Sequence, residues 1–330
     1  MTTPTAAKTP AAEPQRIHAV PVRYPGRWIS AAVVVVLAAM AVNALVTNDT
    51  FAWPTVGKYL FSQPVVRGVG WTLFLTVTSM LIAIVLAVTL AIMRRSANPV
   101  MRYVSWVYIW FFRGTPIYTQ LIFWGLASVL YPVITLGVPF GPELLSMDTN
   151  VVLNATRAAI LGLALNEAAY LAEIVRAGLQ SVDRGQFEAA RALGMKEGRI
   201  LWRVVLPQAM RVIVPPTGNE TISMLKTTSL VLAVPFTLEL QYATNAIGNR
   251  TFQPVPLLMV AAIWYLAITS VLMVGQYYVE RYYGRGFEEH VPKKAARNSR
   301  RGRQAAINAA HTTPELGPID DMGRPAGGGV

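Results

Sequence analysis

Glu188-Ala189-Ala190-Arg191-Ala192-Leu193-Gly194, closed by Leu206-Pro207, is a polar stretch set between apolar runs. Gln186 to Leu193 is rich in good helix formers, and Gly194 can take the left-handed conformation that ends a helix. A second helical stretch from Lys196 to Leu206 runs into Pro207, which disfavours helix in the residue before it. The spacing predicts two short helices joined at Gly194. The small side chains of Ala189, Ala190 and Ala192 leave a flat face for another protein, and Glu188 can pair with Arg191 one turn on. An ordered, basic helix pair beside a membrane suits the docking of a soluble partner. The other residues able to do chemistry lie inside apolar runs: Arg113, Glu167, Glu173, Asn219, Glu220 and Lys226. Ionisable groups are costly in a bilayer, so each must line an interior pathway or pair with another charge.

Membrane-crossing helices must position these groups. The chain has 330 residues, 53% hydrophobic and 14% charged, where ordinary globular domains carry about 25% charge. Segments 28–46, 71–93 and 254–279 are uncharged runs of 19, 23 and 26 residues. Each is long enough to cross a hydrocarbon core about 30 Å thick. Segments 103–136, 151–179 and 212–238 are further spans whose charges and prolines point to the protein interior. Within the last of them, Pro215 to Glu220 is expected to disrupt the helix near mid-bilayer.

Six spans place both termini on one side, and the charges choose which. Stretches 1–27, 94–102, 176–211 and 280–330 hold 23 of the 29 Lys and Arg residues, against Lys58, Arg67 and Arg250 on the opposite face. That asymmetry assigns the basic side, with both termini, to the cytoplasm and makes the chain a multi-pass cell-membrane protein. It also accounts for the net charge of +12 without nucleic acid. The chain has no cysteine, and His18, His290 and His311 lie outside the apolar runs, so a thiolate site or an intramembrane histidine relay is excluded. Ala39-Met40-Ala41 looks like a leader-cleavage site, but the long apolar run and the 27 residues before it favour a retained anchor. Residues 1–27 and the basic tail 284–330 read as disordered.

Glu188-Ala189-Ala190, Gly194, Val204 and Leu206-Pro207 together resemble the EAA loop of ATP-binding-cassette (ABC) importer permeases, with valine in place of the usual isoleucine. Phe112-Arg113-Gly114-Thr115-Pro116, 170–176, Gly185-Gln186, Gly218-Asn219-Glu220 and Lys226-Thr227-Thr228-Ser229-Leu230 are similar to motifs of the polar amino-acid (histidine/glutamine-type) branch. The resemblance covers about 68–283 and implies an all-α, type I permease fold: a five-helix core, here with one extra N-terminal helix at 28–46. It implies a cytoplasmic coupling loop at 180–207, in which Gln186, Glu188, Ala189, Ala190, Arg191, Gly194, Leu206 and Pro207 engage an ATPase dimer. A second permease subunit, identical or related, and an extracytoplasmic solute-binding protein would complete the importer. The sequence holds no G-x-x-x-x-G-K-[ST] loop, so ATP and Mg belong to the partner ATPase and this chain carries no cofactor and no catalytic residue.

A zwitterionic amino acid needs an anion for its ammonium and donors for its carboxylate. Glu167 or Glu220 can supply the first, and Asn219, Thr228 and Ser229 can help supply the second. Arg113 and Lys226 either join this pathway or pair with a glutamate to hold the helices together. An opine or polyamine is an alternative cargo. An ion-coupled secondary transporter is an alternative class, but it would need no such docking segment, and no internal repeat is visible.

Overall fold

Inside a bilayer only internal hydrogen bonding satisfies the backbone, so long apolar runs fold as helices. The computed structural model describes residues 25–138 and 141–284. Helix α1 spans Pro25–Thr47, three residues ahead of the expected start, and α2 spans Trp53–Leu60. The long α3 covers Gln63–Arg95, followed by α4 (Pro99–Gly114), α5 (Ile117–Gly125) and α6 (Ala127–Leu130). A hairpin of β1 (Val133–Gly137) and β2 (Glu143–Asp148) leads through α7 (Thr149–Val152) to α8 (Ala155–Gln180). The basic loop holds α9 (Arg184–Ala192) and α10 (Glu197–Ile200), and the chain ends its described part with α11 (Leu206–Thr227), α12 (Leu240–Thr251) and α13 (Pro254–Tyr283). Of the ends read as disordered, 1–27 and 284–330, residues 1–24 and 285–330 lie outside the described residues, while 25–27 belong to α1.

Among the described residues, four helices are long and apolar enough to cross a membrane: Gly26–Thr47, Gln63–Arg95, Ala155–Gln180 and Pro254–Tyr283. The other two segments expected to span, 103–136 and 212–238, are compound. One is built from α4, α5 and α6; the other from α11 and the tight 3-10 turn Thr228–Ala233 after it. Helix α8 is the central post, packed most extensively on α3 and then on α11 and α5. Its buried face carries Ala159, Gly162, Ala164, Ala168 and Ala172, whose small side chains let neighbouring backbones come close. None of the apolar window of α1 is buried.

The break between α4 and α5 follows from Pro116, which turns Thr115 to extended geometry (φ −117°, ψ 144°) and frees carbonyls within the span. Buried amides answer them. Asn166 Nδ2 and Gln120 Nε2 both donate to Phe112 O, at 2.9 and 3.0 Å, and Asn166 Nδ2 also reaches Gln120 Oε1 at 3.1 Å. A second buried knot joins α3, α12 and α13. Glu239, fully buried, caps α12 by accepting from Gln241 N at 2.6 Å, and also accepts from Thr72 Oγ1 at 2.7 Å and from the Tyr265 hydroxyl.

Three local expectations are corrected. The helix does not stop before Pro207: Leu201–Val205 forms a π-turn in which Leu206 N donates to Leu201 O, and Leu206 stays helical. The wider turn makes room for the proline ring, so the loop runs into α11 as one rod. Pro215 and Pro216 likewise sit within an unbroken α11. Thr217 Oγ1 donates to Ile213 O and Gln276 Nε2 of α13 donates to Pro215 O, both at 2.8 Å, so side chains add hydrogen bonds to the backbone beside the prolines. The break falls after Thr227 instead. The predominantly helical fold also carries the β1–β2 hairpin where the span 103–136 was expected to continue.

Candidate functional site

Asp183 starts the basic loop by capping α9, its carboxylate accepting from Gly185 N at 2.6 Å. The far end closes in a Schellman turn: Met195 N donates to Ala190 O at 3.1 Å and Gly194 N to Arg191 O at 2.8 Å, with Gly194 at φ +72°. The two helices expected here are therefore present and joined at Gly194, the second continuing through the π-turn into α11. Arg191 does not pair with Glu188. Its Nε donates to Glu197 Oε1 at 2.7 Å across the turn, because the reversal at Gly194 brings the start of α10 alongside the end of α9. This hydrogen bond holds the Glu197 carboxyl below its ordinary range.

The alanines divide. Ala190 is buried with Val182, Ile200, Val205, Ala209 and Ile213, tying the loop to the base of α11. It is therefore not part of a flat docking face, since a helix turns it about 100° away from Ala189. Gln186, Glu188, Ala189, Arg191, Ala192 and Gly194 are exposed, Pro207 is exposed and Leu206 half-buried. Leu193, which sequence reasoning passed over, is 82% exposed at the tip.

The intramembrane residues fall into three groups. Glu167 of α8 is buried, its Oε1 has no hydrogen-bond partner, and its charged neighbour is Glu220 of α11. Neither carboxylate forms an ion pair among the described residues. Asn219 and Lys226 of α11 line a 370 Å³ cleft with Gln276 and Glu280 of α13. There Gln276 Nε2 and Asn219 Nδ2 both donate to Glu280 Oε1, at 2.8 and 3.3 Å. Gly218 makes this contact possible, since an added Cβ would fall 1.9 Å from Gln276 Oε1. Arg113 lies in another cleft, of 470 Å³, with Arg94, Tyr170 and Glu173, its guanidinium carbon 5.2 Å from the Tyr170 ring centroid.

Thr228 and Ser229 are placed differently from a substrate-facing pair. Their hydroxyls donate to Leu225 O and Lys226 O, each at 2.7 Å, ending α11, and Thr228 is fully buried. Glu173 forms its ion pair with Arg176 at 2.6 Å, near the loop end of α8. Glu280 and Gln276 were missed because the run 254–279 stops one residue short of Glu280 and Gln276 carries no charge. Among the described residues no group of three or more His, Cys, Asp or Glu could hold a metal ion.

Carboxylates that form no ion pair among the described residues thus lie inside a helical membrane core, and the helix bearing Glu220 runs on into the structured basic loop. The family described as binding-protein-dependent transport system inner membrane component matches residues 79–284. The arginine transport system permease protein ArgU of Corynebacterium glutamicum is 51% identical over 275 residues, 83% of this chain and 85% of that protein. The histidine/lysine/arginine/ornithine transport system permease protein HisM of Salmonella typhimurium is 37% identical over 206 residues, 62% of this chain and 84% of that one. A crystal structure of an amino acid ABC transporter with histidines aligns with TM-score 0.56 and 31% identity, over 66% of this chain and 94% of that one. The chain belongs to the binding-protein-dependent permease family: it is an amino-acid ABC importer permease subunit with the type I fold, a multi-pass inner-membrane protein. Its relatives are transport subunits rather than enzymes, and membership implies an ATPase and a binding protein as partners.

Proposed function

We propose that this permease carries a cationic amino acid of the arginine class into the cytoplasm, with the basic loop and both termini on the cytoplasmic face. The observation that carries the cargo assignment is the Glu167–Glu220 pair: a buried and a half-buried carboxylate on packed helices, with one oxygen of Glu167 unpartnered and no cation paired to either among the described residues. A buried anion without a partner is costly, and a side chain bearing guanidinium or ammonium is the complement that relieves it. The names of ArgU and HisM point to the same cargo.

The loop is read as the seat of the ATPase, through exposed Gln186, Glu188, Ala189, Arg191, Leu193 and Gly194, with α11 transmitting its movement past Asn219 and Lys226. ATP and Mg act on that partner, and this chain binds neither. Arg113, Asn219, Lys226 and Glu280 are exposed within or beside the spans of the single subunit. Charged groups on a lipid face are costly, so a second permease half covers them and shares the pathway.

The test is Glu167→Gln in the complete importer reconstituted in liposomes. Losing one partner of a buried charge pair costs about 2–5 kcal/mol, so arginine import falls by roughly 30-fold or more. ATP hydrolysis stimulated by the binding protein persists, and Glu167→Asp restores part of the import. Import at the wild-type rate by Glu167→Gln overturns the assignment.

A further inference from the structure

The charge bias that orients the chain leaves three Lys and Arg residues, Lys58, Arg67 and Arg250, on the face opposite the basic loop. Retained cations on that face stand against the general depletion there. Two of them converge. Arg67, near the start of α3, and Arg250, in the last turn of α12, line one open cleft of 490 Å³ with Gln63, Thr237 and Tyr242.

No Asp or Glu lines this cleft, and neither arginine forms an ion pair among the described residues. Glu239 lies next to the lining residue Leu238, but it is fully buried and its oxygens are taken by Thr72, Tyr265 and Gln241 N. Lys58, the third cation, stands 5.3 Å over the Tyr59 ring. The cleft is thus exposed, doubly positive and without an internal counter-charge. Guanidinium groups hold carboxylates through paired, directional hydrogen bonds. The ammonium and guanidinium of a cationic amino acid find no anion in this lining, so the cleft suits a group that is anionic alone.

We propose that Arg67 and Arg250 form a socket for an acidic side chain on the surface of the solute-binding protein, fixing its position over the pathway. This rests on the importer reading above, with the cleft on the outer face. Steering between opposite charges acts mainly on encounter and is weakened by salt.

The experiment titrates liganded solute-binding protein onto the complete importer in nanodiscs and reads ATP hydrolysis. With Arg67→Glu and Arg250→Glu together, the half-saturating concentration of binding protein rises about tenfold or more and its dependence on salt flattens, while the maximal rate is kept. Arg67→Lys with Arg250→Lys stays near wild type, and the milder Arg67→Gln with Arg250→Gln shifts in the same direction if the reversal hinders assembly. An unchanged titration for the charge reversal overturns the socket. So does a shift in the requirement for free amino acid at saturating binding protein, which would make the cleft a cargo site. A wild-type importer that no binding protein stimulates overturns the importer reading itself, and the socket falls with it.

Discussion

Gly194 offers a test in which backbone conformation is separated from packing. It sits at φ +72°, and a Cβ added there would meet no atom within 4 Å. Replacement therefore adds no clash, and the whole effect comes from holding an L-residue in the left-handed region. That cost is about 1–2 kcal/mol for alanine, a factor of roughly 5–30 in the balance between the native turn and its alternatives. Asparagine visits this region readily, whereas a β-branched residue is a strong outlier there. The series Gly194→Asn, Gly194→Ala, Gly194→Val should then weaken ATPase binding in that order, with asparagine near wild type. Binding is read by titrating labelled ATPase onto the purified permease, alongside the permease's thermal midpoint. The spans are untouched, so the midpoint should move little. ATPase binding by Gly194→Val equal to wild type, or asparagine as damaging as valine, would refute the view that the turn presents the docking residues.

Two further substitutions probe how the loop and the spans are held. Ala190→Leu forces bulk into the cluster around Ile200 and Val205 and should lower stability by about 1–3 kcal/mol, read as a fall in thermal midpoint. Ala189→Leu, on the exposed side, should leave the midpoint alone and change only ATPase binding. Asn166→Leu strips donors from Phe112 O and Gln120 Oε1 at the α4–α5 break, a loss of about 1–3 kcal/mol; a midpoint equal to wild type would contradict the account of that break.

The long spans were legible because an uncharged run of bilayer length has one folded solution, and α3 and α13 obey it. The turn between α9 and α10 was legible because its glycine has a conformational reason. What escaped the sequence depends on partners far along the chain or on which way a helix faces. Pro215 and Pro216 suggest a break, yet α11 runs through them, and Gln276, 61 residues on, adds a hydrogen bond to Pro215 O. Glu239 gives no local sign of its bond to Thr72, 167 residues away. Ala189 and Ala190 are chemically identical, and only the orientation of α9 buries one and exposes the other. The β1–β2 hairpin lacks a clean alternation and carries an irregularity at Leu136/Gly137, so its residues read as the end of a span.

The central claim is that this chain imports amino acid using ATP hydrolysed by a docked partner. Its most direct test is uptake of labelled arginine by liposomes holding the permease, its ATPase and the binding protein, with ATP on the ATPase side. The account predicts accumulation that requires ATP, is lost with Gly194→Val, and is not supported by a proton or sodium gradient alone. Uptake that follows an imposed ion gradient and ignores ATP would contradict it.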